Sequence, residues 1–281
     1  MNDYFYVLTG GVLWGTIGVF VQMLSASGLT PMETVTARAA GAGILFALIT
    51  YFSDPKLLRV KPQDWWIFLG SGCLSLAGFS YCNFTCITLG GMATAALLLY
   101  TAPIFVMLMS LFLFREKLTL RKCLALLCTF VGCALIVGIF EQGMNLNWAI
   151  VISGLASGVG YALYTIFTKY AVLRGYHPLT TATYTFLGCA ATALLVNGGL
   201  DCQKINAQGW LGIAGLVLIC SLGANYCYTK GLAGIDASHA SIIATIEPLV
   251  AALLGILVLQ EPLSLFKIIG MLLILTSIIL R

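Results

Sequence analysis

The sequence predicts an all-α membrane protein of ten transmembrane helices, arranged as an inverted five-plus-five repeat with both termini cytoplasmic. Composition, the length of the apolar runs and a self-match between the two halves carry that expectation. Hydrophobic residues make up 60% of the 281-residue chain and charged residues only 9%, whereas roughly a quarter of an ordinary globular chain is charged. A soluble domain of this size cannot hide so much apolar surface. A bilayer removes the difficulty, because each crossing helix needs about 20 mostly apolar residues. The runs are continuous rather than alternating, which excludes a β-barrel.

Ten such runs follow in order: Tyr6–Leu24, Met32–Phe52, Trp65–Thr88, Met92–Phe114 and Leu118–Phe140, then Asn147–Leu173, Thr180–Gly198, Trp210–Thr229, Ala237–Leu259 and Leu263–Leu280. The short connections leave no room for a soluble catalytic domain. The first run lacks a basic leader and a small-residue cleavage signal, so it reads as a retained span. The ten cysteines lie mostly inside spans. Cys82 and Cys86 are one helical turn apart with no histidine or third thiol nearby, so they read as small buried hydrophobes and no metal site is expected.

Charge gives the orientation. With the N-terminus placed on one face, that face receives Lys56, Arg59, Lys61, Arg115, Lys117, Arg121, Lys122, Lys169, Arg174, Lys230 and Arg281. The other receives Lys204 and Lys267, and Arg38 lies within a span. The positive-inside rule makes the basic face cytoplasmic. These charges sit in short juxtamembrane loops, so no nucleic-acid partner is expected; the expected partners are the lipid bilayer and a small-molecule substrate.

The halves match residue by residue. A shift of 145 places Gln63 and Trp65 on Gln208 and Trp210, Tyr81-Cys82 on Tyr226-Cys227, Pro103 on Pro248, Glu116 on Glu261 and Lys122 on Lys267. A shift of 147 places Gly11 on Gly158, Trp14 on Tyr161, Phe20 on Phe167 and Pro31 on Pro178. The units are residues 1–141 and 146–281. Five spans per unit is an odd number, so the second copy enters the membrane upside down, an architecture of transporters. The bland alternative is duplication that built a static bundle. Glu116 and Glu261, in the turns "LFREKL" and "LQEPL", are expected to cap the helices that follow them.

The stretches "YTAPIFVMLMSLFLFREKLTLRKCLALLCTFVGCALIV" and "IEPLVAALLGILVLQEPLSLFKIIGMLLILTSIIL" resemble the ends of the two repeats of the EamA family, in the drug/metabolite transporter superfamily. The resemblance covers nearly the whole chain, including "WGTIGVF" in the first span. It implies ten helices, an inverted repeat, a central cavity and export of a small metabolite, without naming the substrate.

Charged groups at bilayer depth need a partner, a water-filled cavity or a route to the interface. Glu247 is the deepest carboxylate, mid-way along the ninth run and next to Pro248. Its counterpart is Ala102, so the halves share the proline (Pro103 and Pro248, both expected kinks) but not the acid. Pro248 withdraws a backbone donor from the Ala244 carbonyl. Beside it Glu247 could bind a cation, carry a proton or pair with Arg38. Arg38 lies five residues past the helix-start residue Glu33; it is either a structural cation or a receptor for a substrate carboxylate. His239 is a relay candidate or a helix-packing residue. Lys169 and Lys230 are expected to snorkel to the interface. Trp14, Tyr81, Tyr161, Tyr226 and Asn225, with Asn83, Tyr100, Tyr164 and Tyr184, are candidate cavity walls; the first four rank highest because they occupy repeat-equivalent positions.

These features point to a secondary transporter with amino acids as the leading substrate class, Arg38 and Glu247 reading the two charges of a zwitterion. Organic cations, drugs or sugars are the alternative. No phosphate-binding glycine loop is present, so no nucleotide or other cofactor is expected and energy would come from a gradient, with protons as a candidate coupling ion. An intramembrane enzyme is disfavoured by having only two histidines, His177 and His239, and no HExxH motif; a channel is disfavoured by the inverted repeat.

Overall fold

The computed structural model describes residues 2–138, 147–260 and 262–280. The described residues form helices and short connections, and eight helices among them are long and apolar enough to cross a membrane: Asn2–Ala26, Pro31–Ser53, Pro62–Leu99, Leu120–Val137, Trp148–Leu173, Pro178–Asn197, Ala207–Leu232 and Ala237–Val258. Ala102–Leu113 and Leu265–Leu280 are apolar but shorter. The ten expected runs are thus differently divided. The 38-residue segment Pro62–Leu99 takes in the third run and the start of the fourth. It bends at Gly91 (φ 82°, ψ 166°), a conformation that only glycine adopts freely. A second interruption at Tyr100–Thr101 leaves Ala102–Leu113 as a separate helix.

Helix ends follow local chemistry. Thr30 and Glu33 form a reciprocal capping box with Pro31 in the first turn, so Glu33 is a helix-start residue. Thr119, Asn147 and Asn206 cap their helices through side-chain oxygens, and His177 does so through Nδ1. The turns before Glu116 and residue 261 share a left-handed residue at equivalent positions, Arg115 (φ 55°) and Gln260 (φ 57°). The expectation that Glu116 caps the helix following it is corrected. Thr119 fills that role, while Glu116 crosses to the start of Ala237–Ala244 and accepts from the amides of Ala237 (2.7 Å) and Ser238 (3.2 Å). Glu261 lies outside the described residues.

Packing is reciprocal between the halves. Pro31–Ser53 lies along its counterpart Pro178–Asn197, and Leu120–Val137 along its counterpart Leu265–Leu280. Asn2–Trp14 lies along Ala224–Leu232, just as Trp148–Leu173 lies along Gly78–Leu99. Each pairing maps onto itself or its twin under the 145–147-residue shift. Two wide π-helical stretches, Gly70–Ala77 and Leu216–Gly223, also fall at equivalent positions, and such stretches often mark functional sites. The snorkelling expected of Lys169 is corrected as well. It is buried, with Nζ donating to the carbonyls of Leu232 (2.8 Å) and Ile235 (2.6 Å), because the helix ending at Leu232 leaves carbonyls that need donors. Lys230 stays near the basic face, 2.9 Å from the Tyr6 hydroxyl.

Candidate functional site at the helix breaks

Three helices break near the centre of the fold, and each break carries a threonine whose hydroxyl turns back to a carbonyl three residues earlier. Thr16 donates to Leu13 O (2.7 Å), Thr101 to Leu98 O (2.6 Å) and Thr245 to Ile242 O (2.5 Å). Pro103 and Pro248 follow the last two breaks in the first turn of Ala102–Leu113 and Ile246–Leu259, where a missing N–H costs nothing. Carbonyls released at a break need close polar or backbone neighbours at membrane depth. Glycines make that approach possible: a Cβ on Gly11 would lie 3.0 Å from Ala244 O, and one on Gly158 would lie 2.7 Å from Thr101 Oγ1. Gly11 and Gly158 are repeat counterparts packed on counterpart breaks.

Both breaks and Glu247 meet at one small cavity of about 20 Å³, lined by Leu99, Tyr100, Pro103, Tyr161, Ser241, Thr245 and Glu247. That is room for about one water. Around it the rings interlock. Trp14 meets Tyr161 edge-on at 6.2 Å and Tyr228 at 4.9 Å, and Tyr161 meets Phe79 at 5.8 Å. Gly15 joins this floor to a larger cavity of about 580 Å³, since a Cβ there would sit 2.9 Å from Glu247 O. The larger cavity is lined by Gly18, Val19, Gln22, Ser25, Pro31, Thr34, Phe84, Ile87, Met92, Ala251 and Leu254, with no charged side chain in its walls among the described residues. These residues cluster about the Ser27–Thr30 connection, on the face away from the basic loops.

The predicted site residues divide. Glu247, Trp14 and Tyr161 come together, joined by Tyr100. Arg38 does not join them: its Nε donates to Ser221 Oγ (2.9 Å) and its Nη2 to Cys220 O (3.4 Å), within the second π-helical stretch. Among the described residues no ion pair links Arg38 to Glu247 or Glu33; Glu33 lies 3.8 Å from Lys204. Asn225 is buried, donating to Cys220 O (3.3 Å) and Ser221 O (2.9 Å) and accepting from the Tyr164 hydroxyl (2.8 Å). It holds the same stretch as Arg38 rather than a cavity wall. Tyr81 is 57% exposed and lines peripheral grooves with Met32. Its counterpart Tyr226 faces Lys230, 5.8 Å from the ammonium. His239 lies at the basic face, with Nδ1 3.6 Å from Asp236, and is absent from the Glu247 cavity. Tyr228 was missed by sequence reasoning. It is fully buried between Trp14 and Tyr164 and hydrogen-bonded to Thr165 (2.9 Å). It lies two residues past Tyr226, about 200° round the helix, and that angle is the signal that would have found it.

The arrangement can hold a proton or a cation on a carboxylate that shares its cavity with two phenols, one of them packed on the Trp14 indole. The model of the EamA-like transporter family matches residues 2–138 and 148–281, both halves in turn. The chain belongs to the EamA-like transporter family. Among its relatives, the EamA-like chain is 28% identical to the uncharacterized transporter YwfM of Bacillus subtilis, over 92% of this chain and 86% of that one. It is 28% identical to an uncharacterized transporter of Archaeoglobus fulgidus, over 98% and 94%. It is 26% identical to the uncharacterized inner membrane transporter YicL of Salmonella typhimurium, over 98% and 93%. A solved crystal structure shares the fold with a TM-score of 0.84 at 19% identity, covering 99% of this chain and 95% of that one. This EamA-like protein is therefore a multi-pass membrane transporter built from two family repeats.

Proposed function

We propose that the protein is a secondary transporter of the bacterial plasma membrane that exports a small amphipathic metabolite by alternating access, receiving a positively charged group of the substrate, or a proton, at Glu247. The observation that carries this reading is the position of Glu247: a carboxylate without an ion pair among the described residues, between two helix breaks and below a 580 Å³ cavity. Ten crossings in two inverted units, with both termini cytoplasmic, complete the proposal. The Gly91 bend, the reciprocal helix pairing and the eleven-to-two distribution of basic residues support it.

Amino acids are the leading substrate class, their α-ammonium group matching Glu247. Organic cations are the second reading. It is favoured by the engagement of Arg38 with Ser221 and Cys220, so that among the described residues the cavity walls carry no cation for a substrate carboxylate. Counterflow in proteoliposomes across amino acids, organic cations and sugars separates them. Accumulation of at least one amino acid or cation is expected, and the absence of movement for every solute would remove the transport proposal. Glu247→Gln should abolish transport, a loss of at least 100-fold on the scale of removing a required charged contact, about 3 kcal/mol. Its elution profile should stay that of a folded protein. Wild-type rates in that variant would reduce Glu247 to scaffolding.

A further inference from the structure

The site around Glu247 makes no use of a groove on the flank of the bundle. Pro178–Asn197 and the π-helical stretch Gly70–Ala77 meet tightly at one level: a Cβ on Gly72 would lie 3.1 Å from Gly188 Cα, and Cys73 Sγ lies 3.5 Å from Gly188 O. Beyond that contact, towards the face away from the basic loops, the helices part. Nothing comes within 4 Å of a Cβ placed on Gly78. Two hollows of about 400 Å³ each open there. Met32 and Tyr81 line both, so the hollows form one groove between Pro31–Ser53, Gly78–Leu99 and Pro178–Asn197. Pro31 and Phe84 wall this groove and the larger cavity alike.

What fills the groove follows from where it lies. The helices that form it are long and apolar enough to cross a membrane, and residues along it face outwards: Tyr81 is 57% exposed, Leu89 50% and Val196 60%. In a bilayer the medium there is acyl chains rather than water. From Cys73 to Leu89 the groove climbs sixteen residue steps, about 24 Å at the helical rise. One leaflet with its headgroup layer is about 20 Å deep. Polarity runs the same way. Val35, Cys73, Ala77 and Ala193 wall the deep end, whereas Thr30, Thr88 and Asn197 stand at the shallow end, where Pro31–Ser53 starts and Pro178–Asn197 stops. A molecule with a long apolar tail and a polar head matches both the length and the gradient.

We propose that this groove seats one phospholipid of the leaflet opposite the basic loops, with an acyl chain wedged between Gly78 and Ala193 and the glycerol end beside Thr88 and Asn197. The chain backs Met32, Tyr81 and Phe84, and through Phe84 and Pro31 it supports the side wall of the larger cavity. An acyl chain fits against small residues such as Gly78, Ala77 and Ala193, where an unfilled groove would forfeit dispersion contacts along one whole side. Among the described residues the walls carry no charged side chain, so the seat selects the tail and not the charge of the head. The inference goes beyond the transport proposal and does not depend on which solute moves.

Photolabelling of the full chain in phosphatidylcholine nanodiscs tests this. The probe is a trace of phosphatidylethanolamine or phosphatidylglycerol with a photoreactive group in one acyl chain. Adducts mapped by peptide mass spectrometry should gather on residues 32–35, 73–89 and 192–197, alike for both headgroups. Gly78→Leu fills open space and should cut those adducts about tenfold. Val196→Phe narrows the groove from the facing helix, at an exposed position where folding should survive, and should lower them as well. Leu195→Ala, 85% exposed and outside the groove, should leave them unchanged. Adducts spread evenly over exposed apolar faces such as Leu265–Leu280, or undiminished in both groove variants, would overturn the seat and leave ordinary boundary lipid. Labelling by one headgroup alone would overturn it too, because the head and not the tail would then be read. If Gly78→Leu does not yield a monodisperse protein, Val196→Phe decides alone. A wild-type protein that moves no solute would remove the transport proposal and leave the labelling pattern readable.

Discussion

Glu247 and His177 show how one side chain's neighbours fix its chemistry. Glu247 touches a water-sized cavity together with Tyr100, Tyr161 and Ser241, so hydroxyls line the space beside its carboxylate. His177 instead works at a helix start outside the spans, its Nδ1 accepting from Leu179 N at 3.2 Å. That bond needs a neutral ring. Burial, and then the Lys230 charge, hold the imidazole below its usual value of 6.5. The unfolded chain therefore binds the proton more tightly than the folded one. Stability from this cap is fully present above pH 6.5 and is lost as pH falls through the lowered folded value. Melting temperature measured from pH 7.5 to 5 should drop more steeply in the wild type than in His177→Asn, which keeps a capping oxygen that does not titrate. Parallel curves would remove His177 as the cause.

At the scale of elements, the breaks depend on close backbone contact. A methyl on Gly15 would meet Val250 Cβ at 2.5 Å and Glu247 O at 2.9 Å, so Gly15→Ala must push the Asn2–Trp14 helix away from the ninth-run break. Gly18, one turn on, has nothing within 4 Å of the same position. Overpacking of this kind costs about 1–3 kcal/mol. Thermal unfolding in detergent should show Gly15→Ala clearly destabilised and Gly18→Ala unchanged or slightly more stable, as expected for a helical glycine replaced by alanine. Equal melting temperatures would mean that the helices shift apart without loss.

At the scale of the molecule, the reciprocal pairing of helices places one cavity on the face away from the basic loops and the Lys122–Asp236 ion pair on the other. A reporter that fluoresces only when folded in the cytoplasm should light up when fused after Arg281, and a periplasmic phosphatase reporter at the same place should stay silent. The reverse result would invert the topology.

Membrane class, the two-repeat plan and the mid-span place of Glu247 were legible in the sequence. Hydropathy, repeat register and a lone mid-span acid are local or periodic signals, and the solvent imposes them regardless of packing. The prolines likewise announced where the helices would yield, although the threonines that close the broken turns went unread. Tertiary structure decided which polar groups meet. Arg38 and Glu247 are both mid-span charges, yet helix rotation sends Arg38 to Ser221 and Cys220. Tyr226 and Tyr228 differ by two positions and face opposite ways, one towards Lys230 and the other into the core between Trp14 and Tyr164. Lys122 and Lys169 count as interfacial by sequence position alone. They are buried because a helix from the other half ends or begins beside each, offering Lys169 carbonyls and Lys122 a carboxylate that no local pattern records.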